Sequence, residues 1–398
     1  GGKFDLAGNS LVLNTIAAND SKAIITNSST GEAVNLEIEG FGYGADNKKT
    51  TNKADTIIHA SIGDNTNGAS GTNGANLNLI YKGEKTLTNR HSERSEESTR
   101  SNSVDSSATL SPQNDNGASL IFDGHINIQG ELKAENGNIV LQGHPTTHAT
   151  ISDDKIREQI TKAESGTSAA MPNYMDLSKP STLNQPDWDS RNFNIKKGIN
   201  LTNATLTVGK AANLKADIKA DKDSQINFGG RHFIDSKDGK NIGGSGFSYY
   251  QLVTSGELGD NELYKDSSYN GTITAIGTKI TSQFFDFTPN LQLSNNASLN
   301  AKYLTLTQSS TMNFTDSSAT INNLVFQGVN DLSKITLKGT SKFAVKESFI
   351  FNNSAFNLNS LNQAGADFEM PTEYNLAAFN GSQITANEFK NTKENAEF

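Results

Sequence analysis

Apolar residues paired two apart recur along residues 299–358 at a nearly constant step, and few folds accommodate that recurrence. Leu299/Ala301 is followed by Ala319/Ile321 and Phe343/Val345. Leu304/Leu306 is followed by Leu324/Phe326 and Phe349/Phe351, and Met312/Phe314 by Ile335/Leu337 and Phe356/Leu358. The common step is about 20–25 residues, the length of one repeat in a solenoid. Residues two apart on a strand point to the same face. Three interleaved series with one step therefore predict an all-β parallel β-helix: three short strands per coil, apolar pairs inside, coils stacked on one continuous core.

Composition agrees with coils rather than with a compact mixed domain. Of the 398 residues, 34% are hydrophobic and 19% charged, both low for a globular chain. Asn, Ser, Thr and Gly take up the difference and suit many turns and a solvated outer face. The 34 glycines against 7 prolines point to turns built on positive φ. Recurring apolar positions argue against disorder over most of the length. Cysteine is absent, which fits export through an oxidising compartment. The net charge is −9 with Lys and Arg scattered among acids, so no basic stripe exists to hold nucleic acid. No stretch has the roughly 18 apolar residues of a membrane-spanning helix.

Along the chain, residues 1–150 read as coils. Phe4/Leu6, Leu11/Leu13, Leu36/Ile38, Ile126/Ile128 and Ile139/Leu141 point inward. A charged, Ser-rich insertion interrupts them at about 83–118; it lacks any periodic apolar residue and reads as a disordered surface loop. Residues 151–190 form an excursion with one short helix over 152–164, where Ser152 caps, Asp153 and Asp154 lie in the first turn, and Ile156/Ile160 share a face. Coils resume at Phe193/Ile195 and run over 191–398, interrupted by a larger loop near 229–271. Both ends look cut in mid-pattern.

Three strings resemble one known family. Gly1-Gly2-Lys3-Phe4-Asp5-Leu6-Ala7-Gly8-Asn9-Ser10-Leu11 is similar to the coil that follows the protease domain in the immunoglobulin A1 protease family of autotransporters. Asn138-Ile139-Val140-Leu141-Gln142-Gly143-His144-Pro145-Thr146-Thr147-His148-Ala149 resembles that family's L-x-x-x-G-(H/R)-P-x-x-H-A segment, and Asp187-Trp188-Asp189-Ser190-Arg191-Asn192-Phe193 resembles the string at which its stem resumes. The strings stand in the family's order across the first half of the chain. The resemblance implies a right-handed parallel β-helical passenger stem, secreted by the type V route from a Gram-negative bacterium to the cell surface or beyond. Its implied partners are an N-terminal chymotrypsin-like protease domain and a C-terminal outer-membrane β-barrel, with host surface proteins as further candidates. The alternatives are a surface adhesin that binds host or sister cells, and a polysaccharide-degrading β-helix enzyme.

Candidate chemistry is sparse, and the expectation is no catalytic, cofactor or metal residue. Gly243-Gly244-Ser245-Gly246 lacks the Asp of a Gly-Asp-Ser-Gly nucleophile loop, and Phe247 breaks a nucleophile elbow. His144 and His148 are four apart, but Pro145 opposes a helix and no third ligand stands nearby in sequence. These histidines are expected to bond backbone groups and hold the corner where the chain leaves the stack. Asp235-Ser236-Lys237-Asp238-Gly239 lacks the alternating acids of a calcium loop. In the regular region, Asp316, Asp331 and Glu347 are too scattered for the paired carboxylates of a glycosidase.

Overall fold

The computed structural model describes residues 2–18, 21–43, 48–63, 74–84, 118–146, 187–229, 231–235, 249–253, 264, 266–330, 335–357, 368–369, 373–379, 383–385 and 390–391. Among them every regular element is a strand, and three long parallel sheets make up the body. The first sheet has eight strands, from Lys3–Asp5 to Asp286–Phe287. The second has ten, from Leu11–Leu13 to Ile335–Lys338, and the third has twelve, beginning at Thr56–Ile58. One coil visits all three in turn: Ile126–Ile128, then Leu132–Glu135, then Asn138–Leu141. The parallel β-helix is borne out. The short helix expected over 152–164 lies outside the described residues.

The alternation read from sequence is the alternation of burial. In Leu132–Glu135, Leu132 and Ala134 point in while Lys133 points out, and Met312–Thr315 repeats the pattern with Met312 and Phe314. Parallel pairing puts like positions above one another. Leu299 pairs with Ala319 and Ala319 with Phe343; Leu306 pairs with Phe326 and Phe326 with Phe351. The Phe326 and Phe351 rings stack 5.1 Å apart at 9°. Phe4 is the exception, 51% exposed although in register with buried Ile25, because its strand has a neighbour on one side only.

At the corner from the second to the third sheet the chain turns on a left-handed residue. Asn136, Asn203, Asn295 and Asp316 all have positive φ. The short polar side chains of Asn and Asp make that region accessible at little cost. Turns expected of glycine are thus shared with Asn, which explains the richness in that residue. A small residue follows at the inner bend, and Ala204, Ala297 and Ser317 are all buried there.

Three details differ from the sequence reading. The two series beginning at Leu299/Ala301 and Leu304/Leu306 lie on one strand, Ser298–Thr307, and the same holds for Ser318–Gln327 and Lys342–Asn352. Nothing between Ala301 and Leu304 breaks an extended backbone, since only Lys302 and Tyr303 intervene. The last step of the third series also fails: Ala355–Asn357 pairs with Gln383–Thr385 and not with Ile335–Lys338. Finally, Gly83 belongs to the stack, its N–H donating to the Glu135 carbonyl at 2.7 Å, so the insertion begins later than expected. Residues 85–117 of that insertion lie outside the described residues.

Candidate functional site

Among the described residues, the corner from the third sheet to the first gathers a buried histidine, aspartate and arginine: His59, Asp123 and Arg191. Ile58, Phe122 and Leu141 are in register as the last residues of Thr56–Ile58, Ser119–Phe122 and Asn138–Leu141. The residues just beyond them must then converge: His59, Asp123, and, three past Leu141, His144. Gly124 allows the close approach, since a Cβ there would lie 2.2 Å from the Ala60 carbonyl oxygen.

Asp123 is the centre. Its side chain is 2% exposed; one carboxylate oxygen accepts from His59 Nδ1 at 2.7 Å and the other from His144 Nδ1 at 3.0 Å. A carboxylate only accepts, so both Nδ1 atoms carry hydrogen in this arrangement. The two imidazole rings stand edge to face, 5.6 Å apart at 87°. Burial alone would raise the Asp123 carboxyl, but the hydrogen bonds from His144 and His59, together with their charge, hold it below the usual carboxylate range.

Two more residues complete the knot. Buried Arg191 donates from Nε to the Asp123 backbone carbonyl at 2.7 Å and from Nη1 to the Ser190 carbonyl at 3.2 Å. His125 Nδ1 accepts the Asn192 N–H at 3.1 Å, and burial with the Arg191 charge nearby pushes this histidine down to about 4. An uncharged His125 fits both facts, since only an unprotonated nitrogen accepts.

This knot sits where the chain leaves and rejoins the stack. His144–Thr146 pairs antiparallel with Asp187–Asp189, placing His144 opposite Asp189 and Pro145 opposite Trp188. Two of the three family-like strings are therefore one structure, a departure and a return side by side. His144 stands at that corner, where its Nδ1 bonds the Asp123 carboxylate, a partner the sequence reading did not foresee. Its expected companion His148 lies outside the described residues, as do Ser245 and the run from Ser236 to Gly239. Asp316 and Glu347 serve turns and bends: Asp316 accepts from the Thr340 N–H at 2.9 Å, and Glu347 from Asn322 at 2.6 Å. The sequence reading missed His59 and Asp123, which are 64 residues apart and share no local motif. The signal that finds them is coil register.

Comparison with known proteins supplies the lineage. Residues 107–238 match the family model described as the PIC/HAP1/IgA0 second beta-solenoid repeat region. The chain is a β-solenoid region related to the serine protease autotransporters. It is 27% identical over 305 residues to the serine protease EspC of Escherichia coli, a match covering 71% of this chain and 19% of that protein. The serine protease pet autotransporter of Escherichia coli is also 27% identical, over 295 residues, 71% of this chain and 18% of the relative. The immunoglobulin A1 protease autotransporter of Haemophilus influenzae is 28% identical over 156 residues, covering 38% of this chain and 8% of it. Among solved structures, the Haemophilus influenzae Hap adhesin aligns over 97% of this chain and 39% of its own at TM-score 0.45 and 17% identity. The chain thus spans under a fifth of the length of the first two relatives named. The resemblance read from the three strings is borne out.

Proposed function

We propose that this autotransporter passenger stem carries a chymotrypsin-like serine protease domain outside a Gram-negative cell and assists its own export through a C-terminal outer-membrane β-barrel. The observation that carries the reading is the knot at residues 144–146 and 187–191, where two strings typical of protease-bearing stems form one departure and return in an unbroken stack. Extracellular or cell-surface placement follows from the same relationship. The physical link to export is vectorial. Each coil pairs only with its neighbours, so coils stack in order of emergence, and every added coil opposes back-sliding.

The test is the full reading frame and its product. An upstream domain with a Gly-Asp-Ser-Gly loop should cleave casein and react with a fluorophosphonate probe, whereas residues 1–398 alone should do neither. A full reading frame without such a domain would overturn the protease reading and favour the adhesin. Labelling of the isolated stem that is abolished by Ser245→Ala would make the stem itself the enzyme.

A further inference from the structure

We propose that His59, Asp123 and His144 bind a single divalent transition-metal ion of the zinc class, which staples three successive coils where the chain leaves the stack. The inference is independent of any protease domain and departs from the expectation that the chain holds no metal.

One ring nitrogen of His59, one of His144 and a carboxylate oxygen of Asp123 lie within 4.8 Å of one another, and the two Nδ1 atoms already reach the carboxylate at 2.7 and 3.0 Å. That spread suits an ion of this class, whose bonds to imidazole nitrogen and carboxylate oxygen are about 2.0–2.2 Å. Two imidazoles with one carboxylate are a borderline-soft set, suited to zinc, copper or nickel; calcium and magnesium require several oxygen ligands. Charge points the same way. Arg191 lies against the Asp123 carbonyl and offsets the only carboxylate in the set, so a hard cation held by charge gains little, whereas one held by nitrogen lone pairs still binds. The edge-to-face rings bring the two nitrogens to the carboxylate from different directions. His144 is the most exposed of the three, which leaves a solvent side for a fourth ligand.

Binding replaces two hydrogen bonds with three coordinate bonds, two from imidazole nitrogen and one from carboxylate oxygen. A neutral ring moves its hydrogen from Nδ1 to Nε2 and releases no net proton, whereas a protonated ring gives its Nδ1 proton to solvent. Because the donors come from residues 59, 123 and 144, the site exists only after three coils have stacked. Metal is therefore captured after folding and then opposes the reverse process.

The test uses the 398-residue chain, stripped with chelator and titrated with zinc chloride by calorimetry. One equivalent should bind, the melting temperature should rise with zinc and fall back with chelator, and cobalt(II) should give the visible spectrum of a four-coordinate nitrogen and oxygen site. His144→Gln and His59→Gln should each weaken binding by more than about a hundredfold, beyond the roughly 10–100-fold loss typical of an outer-shell partner. Both variants need circular dichroism spectra like the parent's, and the more exposed His144→Gln is the safeguard should His59→Gln unfold. Absence of saturable binding would leave a hydrogen-bonded knot only and overturn the proposal. Unchanged stoichiometry and affinity in a folded double variant would overturn it equally, by assigning the metal to other histidines.

Discussion

Between the third and first sheets, the coils built on residues 119–128 and on 138–146 with 187–195 turn through side chains, whereas those built on 298–307, 318–327 and 342–352 run on as single strands. In the first group, glycine opens the corner and a carboxylate, two imidazoles and a guanidinium fill it. In the second, parallel pairing continues past the bend, from Leu299 opposite Ala319 to Leu306 opposite Phe326, and stacked phenyl rings fill the interior. In the late coils backbone pairing resumes beyond a register shift at the bend, the side-chain bonds there among Asn322, Asn323, Glu347 and Ser348 involve no histidine, and stability rests mainly on the ladder and on apolar contact. Where the ladder is broken so that other segments can leave, buried polar contacts supply what the backbone no longer does. Those contacts carry a pH dependence that apolar contacts lack.

The largest expected effect falls on the late coils. Phe326→Asp places a charge between Phe351 and Leu306 in an apolar column and should cost about 5 kcal/mol or more. Hydrogen exchange should show protection lost from the neighbouring coils first. Parent-like stability would mean that the inward phase assigned to Phe326 is wrong. Next in size is Asp123→Ala, which leaves His59 and His144 without their shared acceptor beside Arg191. Removing one partner from a buried charged network costs about 3–5 kcal/mol. Urea unfolding should place the loss in residues 56–195 while 298–352 stay protected; a uniform loss would show that the two regions do not differ in what supports them.

Acid should separate the regions without any substitution. With its folded pKa pushed down to about 4 against an ordinary 6.5, His125 takes up a proton more readily in the unfolded chain. Its contribution is therefore complete above about pH 6.5 and is lost as pH falls toward 4. Asp123, also held below its ordinary value, adds a further loss at lower pH, as the carboxyl protonates in the native state. No histidine occurs after residue 232. Between pH 7 and 5, with chelator present, exchange protection should fall across 119–195 and hold across 298–352. His125→Gln should flatten the difference, and equal loss in both regions would break the contrast. The smallest effect belongs to Glu347→Ala, at the bend of a late strand where its carboxylate meets Asn322 and Asn323 near solvent. About 0.5 kcal/mol is expected from thermal melts, as for other exposed polar contacts. A loss comparable to that of Asp123→Ala would give the late bend the same dependence on side chains as the early corner.

The two regions also differ in how far they could be read from sequence. The late interior was legible down to partners, Phe326 over Phe351 included, because period-two pairs at a constant step encode both face and register. The merging of two series onto one strand was not, since alternation is the same whether or not a corner intervenes. The early corner was legible only as a corner. Glycine, proline and a family-like string marked it, but Asp123 carries no local signature, and its partners come from coils on either side. Register is a global property, and a site assembled by register shows itself only once the coils are counted correctly.

The departure at residues 144–146 and the return at 187–189 have one more consequence. Arg191–Ile195 rejoins the first sheet with Phe193 beside Ile126, much as Ile126 itself lies beside Ile62 of the coil before it. The antiparallel pair brings the chain ends at Thr146 and Asp187 side by side, so the stack itself meets the intervening 40 residues at one point. Two chain ends held side by side on a rigid stack are the geometry a protein engineer needs for grafting a module at a single address.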